Sequence, residues 1–146
     1  MTDYVLGFAF NESMKQVVLV KKNRPDWQAG KYNGIGGKIE EGECATDAMV
    51  REFKEETNVY IKHVEWKDFG YIYGLHNKES FRIWCFRTVT NDVLQVETTT
   101  DEEIFVMPVS DALRLTLVPN AAIMLTTALS DEFDNINLIL RYNLNG

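Results

Sequence analysis

The sequence predicts an α/β (α+β) fold in which a mixed β-sheet is sandwiched between α-helices. Three observations carry this. Apolar, β-branched runs of strand length open the chain as a pair; the segment Ala45–Thr57 has apolar residues at helical spacing; further strand-like runs and a second helical segment follow it. The order strand, strand, helix, strands, helix fits a sheet covered by helices on its faces.

Tyr4–Phe10 (YVLGFAF) reads as a buried strand, and Gln16–Val20 (QVVLV) as its hairpin partner across the polar turn Asn11-Glu12-Ser13. Asn23–Gly30 is a loop punctuated by Pro25 and Gly30. Tyr32–Gly37 ends in three glycines within four residues, so its backbone either takes φ > 0 or comes close to a ligand. In Ala45–Thr57, residues Ala45, Ala48, Met49 and Phe53 form an apolar stripe. Asn58 sits where that helix should stop, and Asn tolerates the left-handed cap conformation. Val64–Tyr73 and Phe81–Val89 read as strands joined by a turn at Gly74–Lys78, and Ile104–Val109 as another strand. Asn120–Leu129 is a second helix, with Asn120 as N-cap and Ile123, Leu125 and Ala128 available for a buried face. Ile136–Tyr142 reads equally well as a last strand or a helical extension.

A chain of 146 residues is expected to be one domain, 1–146, large enough to bury a core without staples. With 45% hydrophobic and 12% aromatic residues spread along the chain, no linker, repeat or low-complexity tract interrupts it. The net charge of -7 repels the phosphates of a nucleic acid polymer. The longest basic stretch, Lys21-Lys22-Asn23-Arg24, is too short for a groove. A small phosphorylated ligand remains compatible with that charge if a divalent cation intervenes. Cys44 and Cys85 lack metal-ligand spacing and read as reduced thiols of a cytosolic protein. No basic leader region and no window near the ~20 apolar residues that span a bilayer are visible, so a cytoplasmic protein away from membranes is expected. Composition leaves a homodimer open.

Glu52, Glu55 and Glu56 lie on the first predicted helix, and residues three and four apart share a face. Three like charges there oppose one another, and they sit near the helix C-terminus, where the dipole disfavours anions. Taken alone, three helical glutamates read as a solvated face. A hard divalent cation would resolve the conflict: Mg²⁺ takes oxygen ligands and keeps positions for water and substrate phosphates.

The frame around the glutamates carries more. Gly37 is followed after five residues by Glu43, after seven more by Arg51-Glu52-Phe53, then by Glu55-Glu56 and Val59. This resembles the Nudix box, G-x5-E-x7-R-E-U-x-E-E-x-G-U with U a bulky apolar residue. Eight of its nine specified positions match, and the exception is Asn58, where the family has glycine. The helix start is also unusual: Cys44 follows Glu43 where a Ser or Thr N-cap is expected, so Thr46 or Asp47 is a candidate cap one turn later. The resemblance covers about residues 4–130, chiefly 31–59.

The resemblance implies a Nudix fold and a Mg²⁺-dependent hydrolase, with Mn²⁺ as a substitute ion. Such an enzyme would cleave nucleoside di- or triphosphates at a pyrophosphate bond. By the same resemblance Glu52, Glu55 and Glu56 are metal ligands, joined by the backbone carbonyl of Gly36. Arg51 would orient the glutamates through a salt bridge to Glu43 or Glu55, and Glu43 would be structural. The general base would come from a late loop, where Glu97, Asp101, Glu102 and Glu103 are candidates and Glu102 and Glu103 are best placed, or from the box itself as Glu55 or Glu56.

The approach Lys31-Tyr32-Asn33-Gly34-Ile35-Gly36-Gly37-Lys38 looks more like the MutT-like branch, which hydrolyses oxidised purine nucleoside triphosphates such as 8-oxo-dGTP, than like ADP-ribose pyrophosphatases. In that branch an amide at Asn33 can read a base edge, since it both donates and accepts; it also suits a turn. Asn120 is a second candidate for base contact. Trp27, Tyr32 and Phe81 offer stacking faces, and Lys21, Lys22 and Arg24 offer phosphate contacts. His63 and His76 lack partners at recognisable spacing. The alternatives are a pyrophosphatase of ADP-ribose or another linked nucleoside diphosphate, and a Nudix fold without activity that senses a ligand.

Overall fold

Strand β1 (Thr2–Phe10) is the axis of the molecule. The computed structural model describes residues 1–143. Along one edge β1 runs parallel to β6 (Glu79–Val89). Its other edge is shared. Tyr4 to Gly7 pair antiparallel with β4 (Ile35–Lys38), while Ala9 and Phe10 pair antiparallel with β2 (Gln16–Lys21). β3 (Tyr32–Asn33) and β7 (Ile104–Pro108) pair with β2, β5 (Lys67–His76) is antiparallel to β6, and β8 (Leu138–Asn143) is parallel to β5. The result is the expected mixed sheet.

Side chains leave a strand on alternate faces, and both faces of β1 are buried. Val5 and Ala9 join Val18, Val20, Ile35 and Phe86 beneath helix α1 (Ala45–Thr57). Leu6, Phe8 and Phe10 join Val17, Leu19, Ile72 and Cys85 beneath α2 (Val109–Ala112) and α3 (Ala121–Ala128). That burial on both faces explains why β1 reads as a continuous apolar run rather than an alternation.

Several expectations are refined. The strand foreseen from Val64 starts at Lys67, because His63–Glu65 is a 3-10 turn whose Val64 is 68% exposed. The turn foreseen at Gly74–Lys78 shrinks to Asn77-Lys78, both with positive φ, which lets the strands pair as far as His76 and Glu79. The strand foreseen to Val109 stops at Pro108, and Val109 opens α2. In α3 the buried stripe is Ala121, Met124, Leu125 and Ala128; Ile123 lies off it and is exposed. Ile136–Tyr142, open between strand and helix, holds β8. The expected domain span of 1–146 includes residues 144–146, which lie outside the described residues. Among the described residues no helix is long and apolar enough to cross a membrane.

Candidate active site

Helix α1 begins at Cys44, whose Sγ accepts from the Asp47 N–H at 3.4 Å, so the cysteine itself caps and neither Thr46 nor Asp47 takes that place. The helix ends at Asn58, in the left-handed conformation foreseen for it, with φ of 62°. Between these caps the buried stripe Ala48, Met49, Phe53 and Thr57 faces the sheet. Its neighbouring face carries Arg51, Glu52, Glu55 and Glu56 past the Gly-rich strand β4.

Arg51 gathers the acids. Its Nε donates to Glu43 Oε2 at 2.8 Å and its Nη2 to Glu43 Oε1 at 2.9 Å. Its Nη1 reaches Glu52 Oε1 at 3.0 Å and Glu55 Oε2 at 3.3 Å, and Nη2 also donates to the Lys38 carbonyl at 3.0 Å. The two partners named as alternatives are therefore both engaged. Glu43 additionally accepts from the Glu40 N–H at 3.0 Å. The Arg51 guanidinium holds the Glu43 carboxyl below the usual carboxylate range, and the Arg51 pKa is raised in turn, chiefly by Glu43. Burial pushes Glu52 the other way, above its ordinary value, although Arg51 opposes this.

The three glycines of the approach resolve into close contacts, since none of Gly34, Gly36 and Gly37 has positive φ. At Gly37 a Cβ would strike the Glu52 carboxylate. The glycine is the cradle in which that carboxylate lies.

Glu56 differs from its neighbours. It is half-buried, and among the described residues its carboxylate has no hydrogen-bond or ion-pair partner. Burial first, then the Glu52 charge, pushes its carboxyl up to about 8, against the pull of Lys22. It lines a cavity of about 610 Å³ together with Lys22, Trp27, Asn33, Gly36, Gly37, Phe81 and Asn120. Opposite, Lys22 Nζ donates to Glu102 Oε1 at 2.9 Å and the Asn23 N–H donates to Glu102 Oε2 at 2.7 Å. Burial raises the Glu102 pKa, but these donors together outweigh it and hold the carboxyl below its ordinary value.

The sequence candidates fall into two groups. Gly36, Glu56, Asn33, Trp27, Lys22, Phe81 and Asn120 meet at the cavity. Asn33 also serves its turn, since Oδ1 accepts from the Gly34 N–H at 2.8 Å. Asn120 occupies the N-cap position with φ of 72° but its side chain makes no capping bond, so the amide is free to face the cavity. Lys21 and Glu103 are exposed and do not line the cavity; they meet only through backbone, Lys21 N–H to Glu103 carbonyl at 2.9 Å. Tyr32 packs edge-on against Phe105 at 5.8 Å instead of facing the cavity. Asp101 pairs with Arg24 and Glu97 with Asn58. His63 is partnered by Asp47 at 2.5 Å, and His76 lines the cavity. Sequence reasoning missed Gln28, Tyr4 and Met124 as cavity walls and the Lys22–Glu102 pair. The pair joins residues 80 apart, which leaves no local signal.

Among the described residues, no three His, Cys, Asp or Glu side chains converge on a ready-made metal position, and Arg51 takes one oxygen each of Glu52 and Glu55. The donor set nonetheless fits a hard cation. Glu52 in its glycine cradle and the unpartnered Glu56 supply carboxylate oxygens beside the cavity, and a half-buried carboxyl held protonated is a group that a cation would re-ionise.

A family model described as NUDIX domain matches residues 2–127. The oxidized purine nucleoside triphosphate hydrolase of Mus musculus is 39% identical over 46 residues, 32% of this chain and 30% of its own length. The matched segments span less than a third of the curated relatives' lengths. Among solved structures, a MutT protein from Bacillus halodurans superimposes with a TM-score of 0.74 at 17% identity, covering 99% of this chain and 92% of that one. The NUDIX domain of Shewanella oneidensis NrtR, complexed with ADP ribose, gives a TM-score of 0.67 at 15% identity, covering 85% and 83%.

Proposed function

The chain belongs to the Nudix family, and on that premise we propose that it hydrolyses a phosphoric anhydride bond of a nucleoside triphosphate, an oxidised purine such as 8-oxo-dGTP first among them. The observation that carries this reading is the unpartnered Glu56 carboxyl at the wall of a cavity that also holds Asn33, Asn120, Trp27 and Phe81. Its Lys22 and Glu56 suit a polyphosphate and its cation, and its amides and aromatic faces suit a base.

Glu52 and Glu56, with the Gly36 carbonyl, would hold a divalent cation, Mg²⁺ or Mn²⁺. When bound, such an ion neutralises phosphate charge and makes water a stronger nucleophile. Arg51 fixes the angle of Glu52 and keeps Glu55 at the rim. Lys22 offers its ammonium to phosphate oxygens. Glu102, kept ionised by Lys22 and the Asn23 N–H, accepts the proton of the attacking water. Asn33 and Asn120 offer amides to a purine edge, and Trp27 and Phe81 offer flat faces. Such a ligand is a free nucleotide rather than a polymer, a substrate that fits a cytoplasmic setting.

A panel of nucleoside triphosphates, ADP-ribose and dinucleoside polyphosphates, each with Mg²⁺ or Mn²⁺ and read by product mass, tests this. Pyrophosphate and a nucleoside monophosphate are the expected products. Full turnover by Glu56→Gln would overturn the assigned metal site. The second reading, a linked nucleoside diphosphate, draws on the ADP-ribose complex of the NrtR NUDIX domain, and the same panel separates it. Binding without turnover across the panel would mark a sensor, against which the intact Arg51, Glu52, Glu55 and Glu56 argue.

A further inference from the structure

Asn58 stands where the Nudix box has glycine. Its backbone does what a glycine would do: φ is 62° and its N–H donates to the Lys54 carbonyl at 2.9 Å. Its side chain does what a glycine cannot. Nδ2 donates to Glu97 Oε1 at 2.7 Å, and Oδ1 accepts from Lys54 Nζ at 2.9 Å. Two more bonds join the same two pieces of chain. The Glu97 N–H donates to the Thr57 carbonyl at 3.0 Å, and Thr99 Oγ1 donates to the Glu55 carbonyl at 2.7 Å. The segment then leads directly to Glu102, whose N–H donates to Thr100 Oγ1 at 3.1 Å.

We infer that Asn58 is a positioning residue, which through Glu97 fastens the segment 97–103 to the end of α1 and sets the place of Glu102 against Glu52 and Glu56. The inference rests on the reading above, in which Glu102 takes the proton.

Residues 96–103 belong to no strand or helix. Their second anchor is the stretch from Lys21 to Asn23: the Lys21 N–H, at the end of β2, donates to the Glu103 carbonyl at 2.9 Å, and Lys22 and Asn23, which hold Glu102, follow β2 in a loop. The rigid reference for the metal carboxylates is α1 itself, and the segment meets α1 only near its C-terminal end. A small displacement of a proton acceptor is costly to rate even where it costs little stability. The side-chain bonds of Asn58 to Glu97 and Lys54 and of Thr99 to the Glu55 carbonyl are solvent-exposed, and each contributes little to folding on its own. Their value lies in the geometry they impose. The box's departure from glycine thus adds a contact in this chain while keeping the cap.

The test is Asn58→Gly, which installs the family's own residue and keeps the left-handed cap unstrained. The expected result is a fall in kcat of about tenfold with KM and Tm little changed. Glu97→Ala should match it, Glu97→Gln should retain wild-type kcat because its amide oxygen still accepts, and Asn58→Gly should add nothing in a Glu102→Gln background. In the metal-free protein, exchange of the Glu97 and Glu102 amides, which donate to the Thr57 carbonyl and to Thr100 Oγ1, should accelerate in Asn58→Gly while β1 stays protected. Wild-type kcat in Asn58→Gly, or unchanged exchange, would overturn the inference and leave the bond an exposed polar contact only. A wild-type chain without turnover on any nucleotide would instead overturn the hydrolase reading, and the exchange data alone would then decide whether the tether exists.

Discussion

Arg51 and Glu43 form a two-pronged ion pair, with Nε and Nη2 of the one guanidinium meeting the two carboxylate oxygens at 2.8 and 2.9 Å. The remaining Nη1 is thereby aimed at Glu52 and Glu55. Arg51→Lys keeps the charge but not the fork. It should cost about 1–3 kcal/mol of stability and reduce kcat further than the loss of folded protein explains, measured by thermal melts beside initial rates. Equal losses in both would assign Arg51 a folding role alone.

The same pair sets the acid side of the stability profile. Glu43 is held below its ordinary value, so its contribution is present above the unfolded carboxylate pKa of 4.5 and is lost as pH falls through the lower folded value. Glu43→Gln should flatten this acid limb in denaturant titrations between about pH 5 and pH 2.

Glu56 has the opposite sign. Its folded pKa of about 8 lies above the ordinary 4.5, so the folded state holds a proton that the unfolded state has released. The metal-free chain should lose stability as pH rises from 4.5 and stop losing it near 8. Glu56→Gln should remove that slope and be the more stable protein at pH 9. Because a cation must displace the proton, Mg²⁺ affinity should climb roughly tenfold per pH unit below 8. Affinity independent of pH would show that Glu56 is not a ligand.

Gly37→Ala places a methyl group on the Glu52 carboxylate. The fold around β4 should survive, while the Mg²⁺ concentration for half-maximal rate rises by at least about tenfold. An unchanged metal requirement would detach Glu52 from the cation.

Asn120 combines a left-handed backbone with a cavity-facing side chain. Asn120→Ala confounds the two, since the strain costs about 1–2 kcal/mol. Asn120→Gly relieves the strain and removes only the amide. It should raise KM for a purine triphosphate and leave kcat close to wild type, as should Asn33→Ala. A wild-type KM in both would move base recognition elsewhere in the cavity.

The elements whose register is local were legible from the residues alone. α1 declares itself by its helical period, β1, β2 and β6 by apolar runs of strand length, and the box glutamates by their spacing around Gly37 and Arg51. The αL cap at Asn58 follows from the side chain's tolerance of that conformation. The short strands β3 and β4 were not legible, because two and four residues carry no period. Neither was the cap at Cys44, since a thiol accepts weakly and sulfur is not an expected cap.

The sequence by itself determined the mixed sheet between helices, the family, and the helix that concentrates carboxylates, because each is written in neighbours a few residues apart. Only the tertiary structure decided which carboxylate is left unpartnered, which lysine faces the cavity, and which late acid pairs with that lysine. Glu56 and Glu55 are adjacent and chemically identical, yet one lines the cavity and the other is exposed beside Arg51. Lys22 and Glu102 are 80 residues apart and meet because β2 and β7 pair across the sheet. Burial and long-range pairing depend on the packed chain, and no local pattern encodes them.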